Sequence, residues 1–313
     1  MATADRYQQL TDAQWARIEP LLPSSDGRRG RPFRNSRQIL EGVIYRYRTG
    51  IPWRDLPEHF GPWQTVWKRH RRYTVDGTWD RILQSLLADA DAAGLISWIV
   101  SIDATINRAH QHATNTTRPE QHTGGTVENY KNRDCSDLDD CEPAGHGIGR
   151  SRGGLSTKIH HAVDGSGRPL SVVVTGGQRN DGNMLQTVID DIRVPRAAGR
   201  PGRPRTRPDA VMADRAYPSR ANREYLRGRG ITAVIPEKVD HVNARRRKGS
   251  SGGRPPKMDW DAYKGRNVVE RSFNLLKQWR GLATRYDKLA VVYRGAAVLA
   301  AIVAWLRALG DTP

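Results

Sequence analysis

The sequence predicts a mixed α/β fold, a sheet flanked by helices, preceded by an all-α region. Residues 11–92 read as helices with their own caps and stops. From Ser97 short apolar runs separated by turns take over, and the chain ends in two segments of helical periodicity. This places a helical region at 1–95 and a sheet-based region at 96–313, and 313 residues suffice for about two domains, each with a core.

In the first region "LTDAQWARIEPLLP" has Thr11 and Gln14 at capping-box spacing and sets Trp15, Ile18 and Leu22 on one face, so it reads as a helix ended by Pro23. "SRQILEGVIYRYRTG" is a second helix, stopped near Gly50. "IPWRDLPEHFGPWQTVWKRHRRYTVDG" gives a short helix, a turn at Gly61 and Pro62, and a longer helix bearing Lys68, Arg69, Arg71 and Arg72; a fourth covers about 78–92. Helix, glycine-containing turn and basic helix is the plan of a helix-turn-helix DNA reader. The same segment also suits a small bundle with solvated charges and with Trp53, Trp63 and Trp67 in its core.

In the second region "WIVSIDATINRA" reads as a strand centred near Ile102, and "LSTKIHHAVDGSGRPLSVVVTGG" as a hairpin turning at Asp164 to Gly167. Alternation along that hairpin sends one of His160 and His161 inward and the other outward. "DAVMADRAYP" is a strand, "SRANREYLRGRG" a helix, "ITAVIPEK" a strand, and two long helices follow at about 267–282 and 291–309. Strand, hairpin, helix, strand, helix, strand, helices implies a mixed sheet with helices on its faces. Three segments interrupt the plan: a polar loop at 113–150, and basic loops at 193–208 and 241–257 that carry six basic residues each and no acid. Their glycine, proline and charge cannot build a core, so both basic loops are expected to be mobile and to grip phosphates.

The formal charge of +18, from 51 Lys and Arg against 33 Asp and Glu, attracts polyanions. The most apolar run, 295–306, is shorter than the roughly 20 residues that cross a bilayer and reads as a buried helix. The N-terminus lacks the apolar core of a secretion signal, and Cys135 and Cys141 lie in a polar acidic loop at a spacing that fits no common zinc pattern. Free thiols in a reducing cytosol are the expectation. No membrane partner is expected.

Asp103 follows the apolar run "WIVSI", Asp214 follows "AVMA", and Glu270 arrives from a helix whose stripe also holds Arg266 and Lys277. Val269, Phe273 and Leu276 form the adjacent, buried stripe. Three converging carboxylates repel unless a hard cation sits among them, and two Mg²⁺ ions could then work on a phosphodiester. Each acid also has a plainer reading. An aspartate after a strand serves as a turn or helix cap, and Glu270 could simply pair with Arg266 four residues away.

Tyr263, Arg266, Glu270 and Lys277 match Tyr, two residues, Arg, three residues, Glu, six residues, Lys. With "IDATINRAHQHA", "ADRAYPSRANREYLRGRG" and the leader segments, the chain resembles, over nearly its whole length, the cut-and-paste DDE transposases of bacterial insertion sequences. The resemblance implies a ribonuclease H-like catalytic domain, Asp103, Asp214 and Glu270 as catalytic metal ligands for Mg²⁺ or Mn²⁺, and Tyr263, Arg266 and Lys277 on DNA near the cleaved end. It further implies terminal inverted repeats and target DNA as partners, and a homodimer or larger assembly. The loop from Ala113 to His146 is longer and more acidic than the resemblance leads one to expect. His110 and His112 could reach DNA or a metal, or merely pack at the strand exit. A DNA-binding regulator with dead chemistry is the alternative, and the presence of all three acids argues against it.

Overall fold

The computed structural model describes residues 7–24, 35–115 and 142–310. Most of the polar loop, with Cys135 and Cys141, lies outside the described residues.

The leader holds four helices: α1 (Asp12–Ile18), α2 (Ser36–Thr49), α3 (Trp63–Val75) and α4 (Thr78–Ala92). Thr11 and Gln14 close the capping box ahead of α1 through both reciprocal bonds. The α-helical part of α1 stops earlier than Pro23, at Ile18, where Pro20 starts a 3₁₀ turn over Glu19–Leu21. Gly50 stops α2 in the left-handed conformation, φ 74°, which a side chain would strain. The short helix expected before α3 is two 3₁₀ turns, Trp53–Asp55 and Glu58–Phe60, because Pro52 and Pro57 each restart the chain.

The sheet is built from β1 (Ile99–Ala109), β2 (Gly149–Ser151), β3 (Gly154–Val163), β4 (Pro169–Gly176), β5 (Ala210–Ala213), β6 (Thr232–Val234) and β7 (Thr284–Arg285). Its main order is β4-β3-β1-β5-β6, with β1 antiparallel to β3, β3 antiparallel to β4, and β1, β5 and β6 parallel. Three antiparallel strands joined edge to edge with parallel ones, flanked by helices, make the mixed α/β arrangement the sequence predicts. The helices of this part are α5 (Gln111–Thr114), α6 (Leu185–Asp190), α7 (Arg220–Gly228), α8 (Val239–Arg247), α9 (Trp260–Lys264), α10 (Asn267–Lys277), α11 (Arg280–Ala283) and α12 (Ala290–Ala308).

Several expectations need correction. The helix expected at 267–282 is two, α10 and α11, because Trp279 takes an extended conformation (φ −82°, ψ 96°), its buried ring lying under the Arg48 guanidinium of α2 at 5.2 Å. Part of the basic segment 241–257 is helical: α8 contains no buried residue, and of its bases Arg245 is half-buried in a pair with Glu237 while Arg246 and Arg247 are exposed. His160 and His161 are both fully buried, which successive residues of one strand achieve only if the sheet is covered on both faces.

One hydrophobic cluster runs through leader and sheet, and α12 joins them by packing on α3, α4 and β4. By length and apolarity α12 could span a bilayer, but 89% of its most apolar window is buried inside the fold. Arg294 fixes it, with Nη1 and Nη2 on the two carboxylate oxygens of Asp80 of α4 at 3.0 and 2.7 Å and Nε on the Val172 carbonyl at 3.0 Å. A second buried pair, Arg46 to Asp287 at 3.2 Å, ties α2 to the segment ahead of α12.

Candidate active site

Asp103 is the fifth of the eleven residues of β1, which runs to Ala109 as the strand reading of "WIVSIDATINRA" expects. Its cross-strand partner is His161, and paired residues of antiparallel strands project to the same face. That face meets α10, since the His161 ring stacks on Phe273 with centroids 5.0 Å apart. β5 accompanies β1 only as far as Ala213, opposite Ile102, and β7 joins it only at Arg108 and Ala109. One edge of β1 is therefore open from Asp103 to Asn107, and Asp214 is the first residue beyond β5. The two aspartates stand side by side where the parallel strand leaves, at the carboxyl end where α/β sheets place their ligands.

Glu270 comes from the first turn of α10, where a carboxylate is favoured by the helix dipole. Val269, Phe273 and Leu276 anchor α10 to the core, as their stripe predicts. The hairpin turn fits against its start: Gly167 has φ 84°, and a Cβ there would come within 3.0 Å of the Val268 carbonyl oxygen. Asp259 caps α9 by accepting from the backbone amides of Asp261 and Ala262, and so orders the chain that delivers Tyr263 and Arg266.

Arg266 is the centre of the site. Its Nη1 donates to Asp103 Oδ2 at 3.0 Å and its Nη2 to Glu270 Oε1 at 2.5 Å. The Arg266–Glu270 helix pair of the sequence is real, and the same guanidinium also reaches an acid 163 positions away. Asp214 keeps Oδ1 on the amide of Ala216 at 2.7 Å. Burial raises the pKa of Asp103; its bonds to the Ala104 amide and Arg266 oppose the rise and the nearby Asp214 adds to it. Asp103, Tyr263 and Glu270 more than offset the desolvation of Arg266, whose pKa is raised.

Among the described residues no three His, Cys, Asp or Glu side chains already surround one point as metal ligands. The reason is local: the guanidinium fills the space between Asp103 and Glu270. The donor set nevertheless fits a hard divalent cation, being all carboxylate oxygen, partly desolvated and in need of positive charge.

Around this centre Tyr263 is half-buried with its ring 5.9 Å from the Arg266 guanidinium, and Lys277 is exposed further along α10. Trp260, which sequence reading passed over, projects into solvent and meets Tyr263 edge to face at 5.9 Å. On α3, Lys68 and Arg72 face outward, Arg71 lies half-buried over Trp67 at 5.6 Å, and Arg69 is inside, bonded to the Tyr73 hydroxyl at 3.1 Å. His110 caps α5, accepting from the His112 amide at 3.3 Å, and its ring meets that of exposed His112 at 4.6 Å. The second acid block also brings Tyr217 and the loop residue Asp181 to the site; only the interval of three between Asp214 and Tyr217 could have signalled it.

With that geometry in hand, the comparisons with known proteins are specific. Residues 95–306 match the family model described as "Transposase DDE domain", and residues 10–83 match that of a "Putative transposase of IS4/5 family". Among curated relatives, an uncharacterized protein y4sN of Sinorhizobium fredii is 40% identical over 35% of this chain and 83% of its own length. A protein named as a transposase for insertion element IS402 of Burkholderia cepacia is 36% identical over 44% of this chain and 56% of its own. One named for element IS6501 of Brucella ovis is 28% identical over 49% of this chain and all of its own. The Mos1 strand transfer complex aligns with 14% identity and a TM-score of 0.25 over 82% of this chain and 80% of that one, a likeness too slight to argue from. A family model covering well over half of the residues, laid on a sheet that opens at two aspartates beside a helical glutamate, places this chain in the DDE transposase family of bacterial insertion sequences.

Proposed function

We propose that the protein binds the terminal inverted repeats of its element, hydrolyses phosphodiesters to expose 3′-hydroxyl ends, and joins those ends to target DNA. The observation that carries this reading is the guanidinium bridge, which holds Asp103 of β1 and Glu270 of α10 together beside Asp214. Asp103, Asp214 and Glu270 would hold the divalent metal, Mg²⁺ or Mn²⁺. When bound, it lets the acids stay ionised together and polarises the phosphate oxygens. Arg266, displaced from the acids, turns to the DNA phosphate, and Tyr263 and Lys277 hold the strand on either side. Lys68, Arg71 and Arg72 of α3 meet the repeat, and Arg69 supports that helix from within.

Water is the first nucleophile, leaving a 3′-hydroxyl on the element and a 5′-phosphate on the flank. The 3′-hydroxyl is the second; it forms a new phosphodiester with the target and releases a target 3′-hydroxyl. One site serves both steps, since only the nucleophile changes. Bringing two ends together calls for at least two copies of the chain on DNA.

The test is a labelled duplex bearing the element's end, a supercoiled plasmid and Mg²⁺, with Glu270→Gln in parallel. Label should join the plasmid with the native protein and fall at least about 100-fold with the variant, the upper range for loss of a group that supports a metal. Cutting without joining would reduce the reading to a nuclease. Binding alone, in both samples, would replace it with a DNA-binding regulator.

A further inference from the structure

Between α6 and β5 the basic loop 193–208 contains a tandem, Gly199-Arg200-Pro201 followed by Gly202-Arg203-Pro204. The loop expected to be mobile is closed at its neck. Val194 and Arg205 exchange both backbone hydrogen bonds, at 2.9 and 2.8 Å. The Arg205 guanidinium lies on the Trp98 ring at 3.9 Å and pairs with Asp209 at 2.8 Å, and Arg196 reaches Asp91 of α4 at 3.8 Å. Beyond this neck every residue from 198 to 203 is exposed. Among the described residues Arg200 and Arg203 have no acid partner. The same tripeptide at 167–169 supplies the contrast, for there Arg168 is spent on Asp164 Oδ2, at 3.0 Å from Nε and 2.6 Å from Nη2, and serves the hairpin turn.

The tip thus presents a slim backbone carrying two long, planar cations. Gly199 and Gly202 have φ of 79° and 133°, values that favour glycine, so no side chain widens the chain there. Each arginine precedes a proline, which biases it to extended backbone and removes an amide that would need a partner. Three extended residues advance the chain by about 10 Å, roughly three base-pair steps of duplex DNA. The minor groove is about 6 Å wide and at A·T pairs offers only acceptors, which suits guanidinium donors. In A·T runs it narrows further and concentrates negative potential. At a G·C pair the guanine amino group stands in the floor as a donor, where it obstructs the backbone and repels the guanidinium.

Resting on the reading that the chain acts on DNA, we propose that the tandem 199–204 is a minor-groove reader, which lays Arg200 and Arg203 into A·T-rich duplex. It uses neither the three acids nor the bases of α3. Because Trp98 and α4 hold the neck, the duplex so gripped is kept at one place on the molecule. Plain phosphate binding by the same arginines would show no such base preference.

The full chain is titrated, by fluorescence anisotropy, with three duplexes that lack the repeat and differ only in a core of A·T, G·C or inosine·cytosine pairs. Inosine lacks the guanine amino group, so its pair keeps the major-groove pattern of G·C over a minor groove like that of A·T. Arg200→Lys combined with Arg203→Lys keeps both charges and removes the planar forks. The native chain should bind the A·T and inosine duplexes at least about fivefold more tightly than the G·C duplex, the low end for one base contact. In the lysine variant the three affinities should fall within about twofold of one another, with the salt dependence and melting temperature of the native chain. Equal binding of all three duplexes by the native chain, or a preference that the lysine variant keeps, would overturn this inference alone. So would an inosine duplex bound as weakly as G·C, which would put the reading in the major groove, or a lower melting temperature in the variant, which would make the arginines structural. No binding of any duplex by the native chain would take down both the inference and the DNA reading beneath it.

Discussion

Histidine chemistry gives the sharpest test of the buried interior. His70 accepts from Trp79 Nε1 on Nδ1 at 3.2 Å, which leaves its proton on Nε2 facing the Val292 carbonyl at 3.2 Å. Burial, against the pull of Asp287, lowers its pKa to about 4. Burial likewise takes His160 and His161 to about 3. A histidine held neutral when folded contributes stability that is complete above its unfolded pKa, near 6.5, and is lost as the pH falls toward the folded value. Stability should therefore drop on acidification from about pH 6.5 toward pH 4, by roughly 1.4 kcal/mol per pH unit for each such histidine, and the melting temperature should fall with it. In His161→Phe the slope should be shallower by about one proton, as melting over a pH series would reveal; an unchanged slope would mean that His161 is charged in the fold. Sequence alternation sent one hairpin histidine inward and the other outward, and both are buried. It could not say that both faces are covered, since that depends on helices distant in the chain.

The elements show where sequence reading works and where it stops. Caps, glycine stops and the hairpin were legible because their causes lie within a few residues: Thr11 with Gln14, Gly50, and Asp164 with Gly167. α8 was not, because a helix with no buried face has no apolar period to read. Within the candidate site the Arg266–Glu270 spacing was visible, whereas the second arm of Arg266 to Asp103 exists only once β1 and α10 are brought together. Nor did any periodicity show how α12 is fixed at its start. Glu142, from the end of the polar loop, accepts from the amides of Ala290 at 2.6 Å and Val291 at 3.2 Å, and Arg285 donates to the carbonyls of His146 and Gly147 to clamp the same loop. Glu142→Ala should cost about 0.5–2 kcal/mol, the usual worth of a helix N-cap, measured by denaturant titration. Arg294→Met should cost more, about 3–5 kcal/mol, because it strips Asp80 of both arms of a buried fork.

Over the whole molecule, leader and sheet share one core, and the positive charge is spread over both. DNA binding should weaken steeply with salt, log K falling against log salt with a slope of about −0.9 per phosphate neutralised. Replacing Arg246, Arg247 and Lys248, on and just after α8, with alanine should flatten that slope by up to about 3 and leave the fold unaltered, since none of the three is buried. An unchanged slope would remove α8 from the DNA surface.

The proposed function requires that Asp103 of β1, Asp214 just beyond β5 and Glu270 of α10 hold a common divalent cation. Substituting Fe²⁺ for the native ion and adding peroxide and ascorbate generates hydroxyl radicals at the metal, which cut the backbone beside it. Fragments ending near 103, 214 and 270, suppressed together by excess Mg²⁺, are the predicted pattern. Cuts at other positions, or cuts near only one of the three acids, would show that they do not share an ion.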